Sequence, residues 1–186
     1  MKHFLVLISL CFSLNANSSK NLDSLKSIWS DLSQHDTVRL KAINHLAYSS
    51  LNINPDSALY FSKLYYEYAK SLGKKTDMTK SLTIQGRYFM GIANYSKALE
   101  LHKKAFSNYK EIGDIKGAAG VLCNMGVVYW YQGKYKKALE HYTESIAMCE
   151  EIGEIQCLAN NYVNMGIIYN IQGNYIKAHE CQIRAL

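Results

Sequence analysis

The sequence predicts an all-α fold, a solenoid of antiparallel helix pairs, and three observations carry that prediction. Shifted by forty residues, the 186-residue chain falls back on itself: Gly86, Gly126 and Gly166 coincide, as do Tyr95, Tyr135 and Tyr175, and Ala98, Ala138 and Ala178. A self-match at a fixed period of this size marks stacked supersecondary units. Inside a unit the apolar residues recur at steps of three and four, as in Tyr95, Ala98, Leu99, Ala105, Phe106, Tyr109 and Ile112, which together form one face of a helix. Pro55 is the single proline, so almost nothing interrupts a string of helices.

The elements follow in order. Residues 1–18 form a separate piece: Lys2 gives a basic start, Phe4 to Leu14 an apolar run, and Ala16 and Ser18 a small-x-small cleavage pair. The run is shorter than the roughly 20 residues a membrane-spanning helix needs and suits a signal peptide. It predicts export to an extracytoplasmic, periplasm-like space. Leu10 precedes Cys11 where a lipoprotein signal wants a small residue, which argues against a lipid anchor. Residues 19–38 form a helical lead-in, and the repeats occupy 39–186 as units 39–78, 79–118, 119–158 and a shortened 159–186.

Each unit reads as two helices joined at a turn such as "YQGKY" or "IQGNY". "SLGK" at 71–74, "EIGD" at 111–114 and "EIGE" at 151–154 mark the turns between units. Glycine stops a helix there because it takes the left-handed cap conformation without steric penalty. The second unit has Ala93 in place of its internal turn glycine. Gly126 in the first helix and Ala138 in the second are expected where two backbones approach closely. Tyr129, Tyr169, Tyr135 and Tyr175 then fill the space beside those contacts. Ala105, Ser145 and Ala185 are expected where the next unit docks; the first unit carries the bulky Tyr65 there. A lone hairpin cannot bury both faces, so the hairpins stack.

With these residues in view, the chain resembles the tetratricopeptide repeat family. "LCNMGVVYWYQGKYKKALEHYTES" matches the family pattern at Leu122, Met125, Gly126, Tyr129, Gly133, Tyr135, Ala138, Tyr142 and Ser145. The next copy matches at Tyr162, Met165, Gly166, Tyr169, Gly173, Tyr175, Ala178 and Ala185. The resemblance implies a right-handed solenoid whose concave side, lined by one stripe of each first helix, holds a protein or peptide partner. On that stripe or beside it stand Arg87, Asn124, Val127, Trp130, Tyr131, Asn164, Ile167 and Asn170. Trp and Arg anchor interfaces well. The Lys and Asn clamp of the family's chaperone-tail binders is missing, since Cys123, Val127, Val163 and Ile167 occupy those positions. Units longer than the family's usual 34 residues resemble exported N-terminal regions of bacterial signalling proteins. That implies a sensory or scaffold role ahead of an output domain, or alternatively a free-standing periplasmic adaptor. Leu186 falls inside the second helix of the last unit, so the sequence also predicts a longer chain.

The remaining residues point away from chemistry. A phosphate-cradling loop, HExxH, GxSxG and CxxC are all missing from the sequence. His102, His141 and His179 on second helices are expected to face outward or lie at boundaries, and His179 and Cys181, two apart, point in different directions. No catalytic residue, metal or cofactor is expected. The balance of 21 basic and 15 acidic residues, +6 overall, is spread along the chain without a basic block, which disfavours nucleic acid. The membrane is reached only through a possible downstream span. Cys123 and Cys181 read as small apolar fillers. Cys149 and Cys157 flank the Gly153 turn, where neighbouring helices could bring them together and export would allow a disulfide, but the other repeats lack this pair, so the two are expected to stay unpaired.

Overall fold

The computed structural model describes residues 21–186, so the segment expected to be a signal peptide lies outside the described residues. Residues 21–30 form α1. Four antiparallel pairs follow: α2 (Asp36–Ser50) with α3 (Pro55–Ser71), α4 (Lys75–Gly91) with α5 (Tyr95–Glu111), α6 (Ile115–Tyr131) with α7 (Tyr135–Glu151), and α8 (Ile155–Ile171) with α9 (Tyr175–Arg184). Strands are missing among the described residues, and none of the described helices is long and apolar enough to cross a membrane. The forty-residue period resolves into two halves: seventeen-residue helices separated by three-residue turns.

The turns show why the period is so regular. Gly73, Gly113, Gly133, Gly153 and Gly173 all have positive φ, between 65° and 73°. After each, the next backbone N–H reaches back to the carbonyl five residues earlier, as from Asp114 to Tyr109 at 2.9 Å and from Lys134 to Tyr129 at 2.9 Å. This is a Schellman closure, and glycine permits it. Ala93 adopts the same conformation at φ 58°, the one non-glycine residue among the described residues to do so. The helix after a turn often starts on a side-chain cap: Asn54, Asn94, Asp114 and Asn174 each accept from the backbone N–H three residues on.

The interior is elongated. One buried cluster around Ile43, Leu46 and Tyr65 joins the first pair to α4, and a second around Leu101, Tyr109 and Leu122 joins α4, α5 and α6. A third around Tyr142 and Ile168 joins α6, α7 and α8. Leu22, Leu25 and Trp29 of α1 pack on the first cluster. Within the solenoid the backbones of α2 and α4, of α4 and α6, and of α6 and α8 approach closely, whereas those of α3, α5, α7 and α9 stay apart from one another. The first helices therefore form the inner, concave layer, and the second helices the outer one.

The expectation that Gly126 marks a backbone-on-backbone approach is corrected here. A Cβ on Gly126 would lie 2.5 Å from the ring of Tyr142, and one on Gly86 would lie 2.5 Å from the ring of His102. The notch in the first helix receives a ring from the second, sixteen residues later. At Gly166 the notch is nearly unused, its nearest neighbour being Cys181 Cβ at 3.4 Å. The first pair inverts the volumes. Leu46 stands at the glycine register and Ser62 at the ring register, both wholly buried.

His102 is the second correction. It is fully buried rather than outward-facing, and neither ring nitrogen has a hydrogen-bond partner. Burial, with the nearby Arg87 charge, holds its pKa down at about 4. His141 is half-buried and stacks on Tyr129 at 5.1 Å, and His179 is exposed. Tyr65, the bulky residue at the first docking position, is buried and donates its hydroxyl to Asp77 Oδ1 of α4 at 2.5 Å. Ser145 does more than make room. Its hydroxyl donates to the Ala119 carbonyl at 2.9 Å and accepts from Asn161 Nδ2 at 2.8 Å, tying α6, α7 and α8 together. Cys149 and Cys157, expected to stay unpaired, are instead joined as a disulfide: the Gly153 turn brings α7 and α8 together with the two Cα atoms 6.0 Å apart.

Candidate functional site in the concave layer

The inner layer holds two adjoining cavities. The larger, about 420 Å³, runs from α2 across α4 and α6 to α8. Arg87 and Tyr48 form one wall, Gly120 and Asn124 lie in the middle on α6, and Asn160 and Asn161 of α8 close the far side. The smaller, about 190 Å³, lies toward the C-terminal ends of α6 and α8 between Val127, Trp130, Tyr131, Asn164 and Ile167, with Tyr142 behind them.

Of the residues singled out from sequence, Arg87 and Asn124 meet in the first cavity, and Val127, Trp130, Tyr131, Asn164 and Ile167 in the second. Asn170 is exposed and lines neither. Asn164 is partly committed, since its amide donates to Cys123 Sγ at 3.6 Å. That thiol is pushed up to about 11 by burial, so it stays neutral. Trp130 belongs as much to the interior as to the groove: it is half-buried, packs with Tyr142 and Ile168, and its indole nitrogen is shielded without a partner. Tyr131 is exposed, edge-on to Trp130 at 4.8 Å and stacked near Tyr95 of the preceding pair at 6.4 Å.

Sequence reasoning missed Tyr48. Arg87 lies over its ring at 4.7 Å, a stacking contact that holds the guanidinium in place. Tyr48 sits one position beyond the α2 residue aligned with Arg87, so the repeat register did not point to it. Asn161 was missed too. It is wholly buried, with its amide nitrogen bound to Ser145 and to the Cys157 carbonyl, while its side-chain oxygen has no partner. At the mouth of the cavity Lys116 of α6 and Glu154, the residue before α8, pair at 2.8 Å. Arg87 is in no ion pair among the described residues. The site thus offers one fixed, uncompensated cation, several amides and an apolar pocket. It lacks a nucleophile–base pair and, among the described residues, any cluster of metal-ligating side chains.

Known proteins can be set beside this geometry. Residues 117–186, the third and fourth pairs, match the tetratricopeptide repeat family. No curated protein matches the chain. Among solved structures it is similar to a Rap protein complexed with competence and sporulation factor (TM-score 0.80, 17% identity, covering 95% of this chain and 50% of that one). It is also similar to aspartyl phosphate phosphatase F from Bacillus subtilis (TM-score 0.78, 18% identity, 91% and 48%). A third is BtubC from P. vanneervenii (TM-score 0.68, 18% identity, 93% and 72%). The chain spans about half the length of the first two. At such identities the likeness establishes the fold, a tetratricopeptide-type α-solenoid.

Proposed function

We propose that this chain is a non-catalytic protein–protein interaction module whose concave layer holds a segment of a partner. The observation that carries the reading is the pair of adjoining cavities on the inner helices, one offering the polar groups of Arg87 and Asn124 on a largely apolar wall, the other lined by Val127, Trp130 and Ile167. Apolar pockets beside a few fixed polar groups suit a peptide laid along a groove. The Rap structure, with its bound competence and sporulation factor, supports the reading by analogy of fold. Arg87→Ala and Ile167→Ser each change a groove residue outside the interior clusters. Both should weaken partner capture while leaving helicity unchanged by circular dichroism. Undiminished capture by both variants would move the binding surface elsewhere.

The wider setting belongs to the same proposal: an exported sensory or scaffold part of a bacterial signal-transduction protein. The signal-peptide pattern of residues 1–18 supports export, and the Cys149–Cys157 disulfide suits an oxidising compartment. Residues 1–30 fused to alkaline phosphatase should give activity in intact bacteria, and an inactive fusion would refute export.

A further inference from the structure

We infer that the larger cavity is a receptor site for an acidic side chain, presented by an extended partner segment and bound at Arg87 above a floor opened by Gly120. The inference rests on the groove reading above and narrows it to one chemistry.

Gly120 is the first observation. It lies in the interior of α6, where glycine costs roughly 0.5–1 kcal/mol relative to alanine. Its φ is not in the left-handed range, so no turn requires it. Packing does not require it either: an added Cβ would meet nothing within 4 Å, whereas at Gly126 it would strike the Tyr142 ring. The aligned residues in the neighbouring pairs are Lys80 and Asn160, both larger. The missing side chain serves no purpose in the fold and opens the cavity floor.

Arg87 is the second. The residue is half-buried, its guanidinium is held over Tyr48, and it lines the cavity without a carboxylate partner. Lys116 and Glu154 neutralise one another, so Arg87 sets the sign of the site. A fixed, partly desolvated guanidinium binds a carboxylate through charge-assisted, often two-pronged hydrogen bonds. Behind the opposite wall the side-chain oxygen of buried Asn161 has no hydrogen-bond partner, and Asn124 and Asn160 add amides along the cavity.

The second cavity sets the spacing. Gly120 to Val127, and Asn124 to Tyr131, is seven residues of helix, about 10 Å at 1.5 Å per residue. An extended chain covers that in about three residues. The partner segment therefore carries Asp or Glu with an apolar residue within a few positions of it.

An array of N-acetylated, C-amidated octapeptides, in which side chains supply the only carboxylates, tests this. The full chain should select peptides with that acidic–apolar spacing. The best of them should bind at least tenfold more weakly to Gly120→Leu and to Arg87→Gln. Gly120→Leu should melt at or above the parent temperature, which separates a filled site from a damaged fold. Selected peptides lacking an acidic residue, or undiminished binding to Gly120→Leu, would overturn the inference. Free-acid peptides preferred over their amides would reassign the site to a chain terminus. Binding that Ile167→Ser weakens and Gly120→Leu does not would retain the groove and discard this site. Binding of no octapeptide would contradict both.

Discussion

Replacing His102 by tyrosine should make the protein more resistant to acid, and the size of the effect follows from the ring-in-notch packing. His102 fills the Gly86 notch as Tyr142 fills the Gly126 notch, so the variant copies an arrangement the chain already uses. Folded, the imidazole is held at about 4; unfolded, it returns toward 6.5. Above pH 6.5 both states carry a neutral ring and the group contributes no pH dependence. As pH falls, the unfolded chain binds a proton that the folded state refuses, so stability declines until about pH 4 and then levels off. Between those two values the loss at pH 5 is about 2 kcal/mol. Arg87 on α4 adds to the resistance to protonation that burial creates. Urea unfolding followed by circular dichroism at pH 7.5 and pH 5 measures the change in both proteins. The parent should lose about 2 kcal/mol more than His102→Tyr, because carboxylates and His141 titrate alike in the two. Equal losses would show that the ring is hydrated or paired, and would refute the packing argument.

Other consequences are equally direct. Gly126→Ala should destabilise by about 1–3 kcal/mol, because its Cβ would sit 2.5 Å from the Tyr142 ring. Gly166→Ala, with only Cys181 Cβ at 3.4 Å, should be neutral or gain up to about 1 kcal/mol from helix propensity; thermal melts of the two distinguish notch from no notch. Ala93→Gly relieves a left-handed alanine worth about 1–2 kcal/mol, partly offset by glycine's greater chain entropy, so a small rise in melting temperature is expected. Ser145→Ala strips Asn161 of one buried partner and frees the Ala119 carbonyl; a loss of about 1–3 kcal/mol is expected by urea titration.

Much of this architecture could be read from the chain because its repeats are written in residue size. Small residues at 86, 126 and 166 and aromatics at 95, 135 and 175 recur at one period, and a glycine turn closes α3, α5, α6, α7 and α8. What those small residues face could not be read. The ring that enters each notch lies sixteen residues on, in another helix, where no three-or-four periodicity connects the pair. For the same reason His102 looked like an ordinary polar residue of an outer helix, and only the ring-sized space at Gly86 accounts for its burial. The inner stripe was legible as far as α4, α6 and α8 repeat one another. Tyr48 under Arg87 and Asn161 beneath Ser145 were not, because each depends on the angle between adjacent pairs. The Cys149–Cys157 pairing likewise required the separation of two helices across a turn, which spacing alone leaves open.

Hydrogen exchange of the full chain with and without an array-selected peptide tests the central claim most directly. The inner layer, not the outer, should be the face that meets the partner. Slowed exchange confined to α4, α6 and α8, strongest near Arg87, Gly120 and Val127, is the expected result. Protection that falls instead on α3, α5 and α7 would contradict the account.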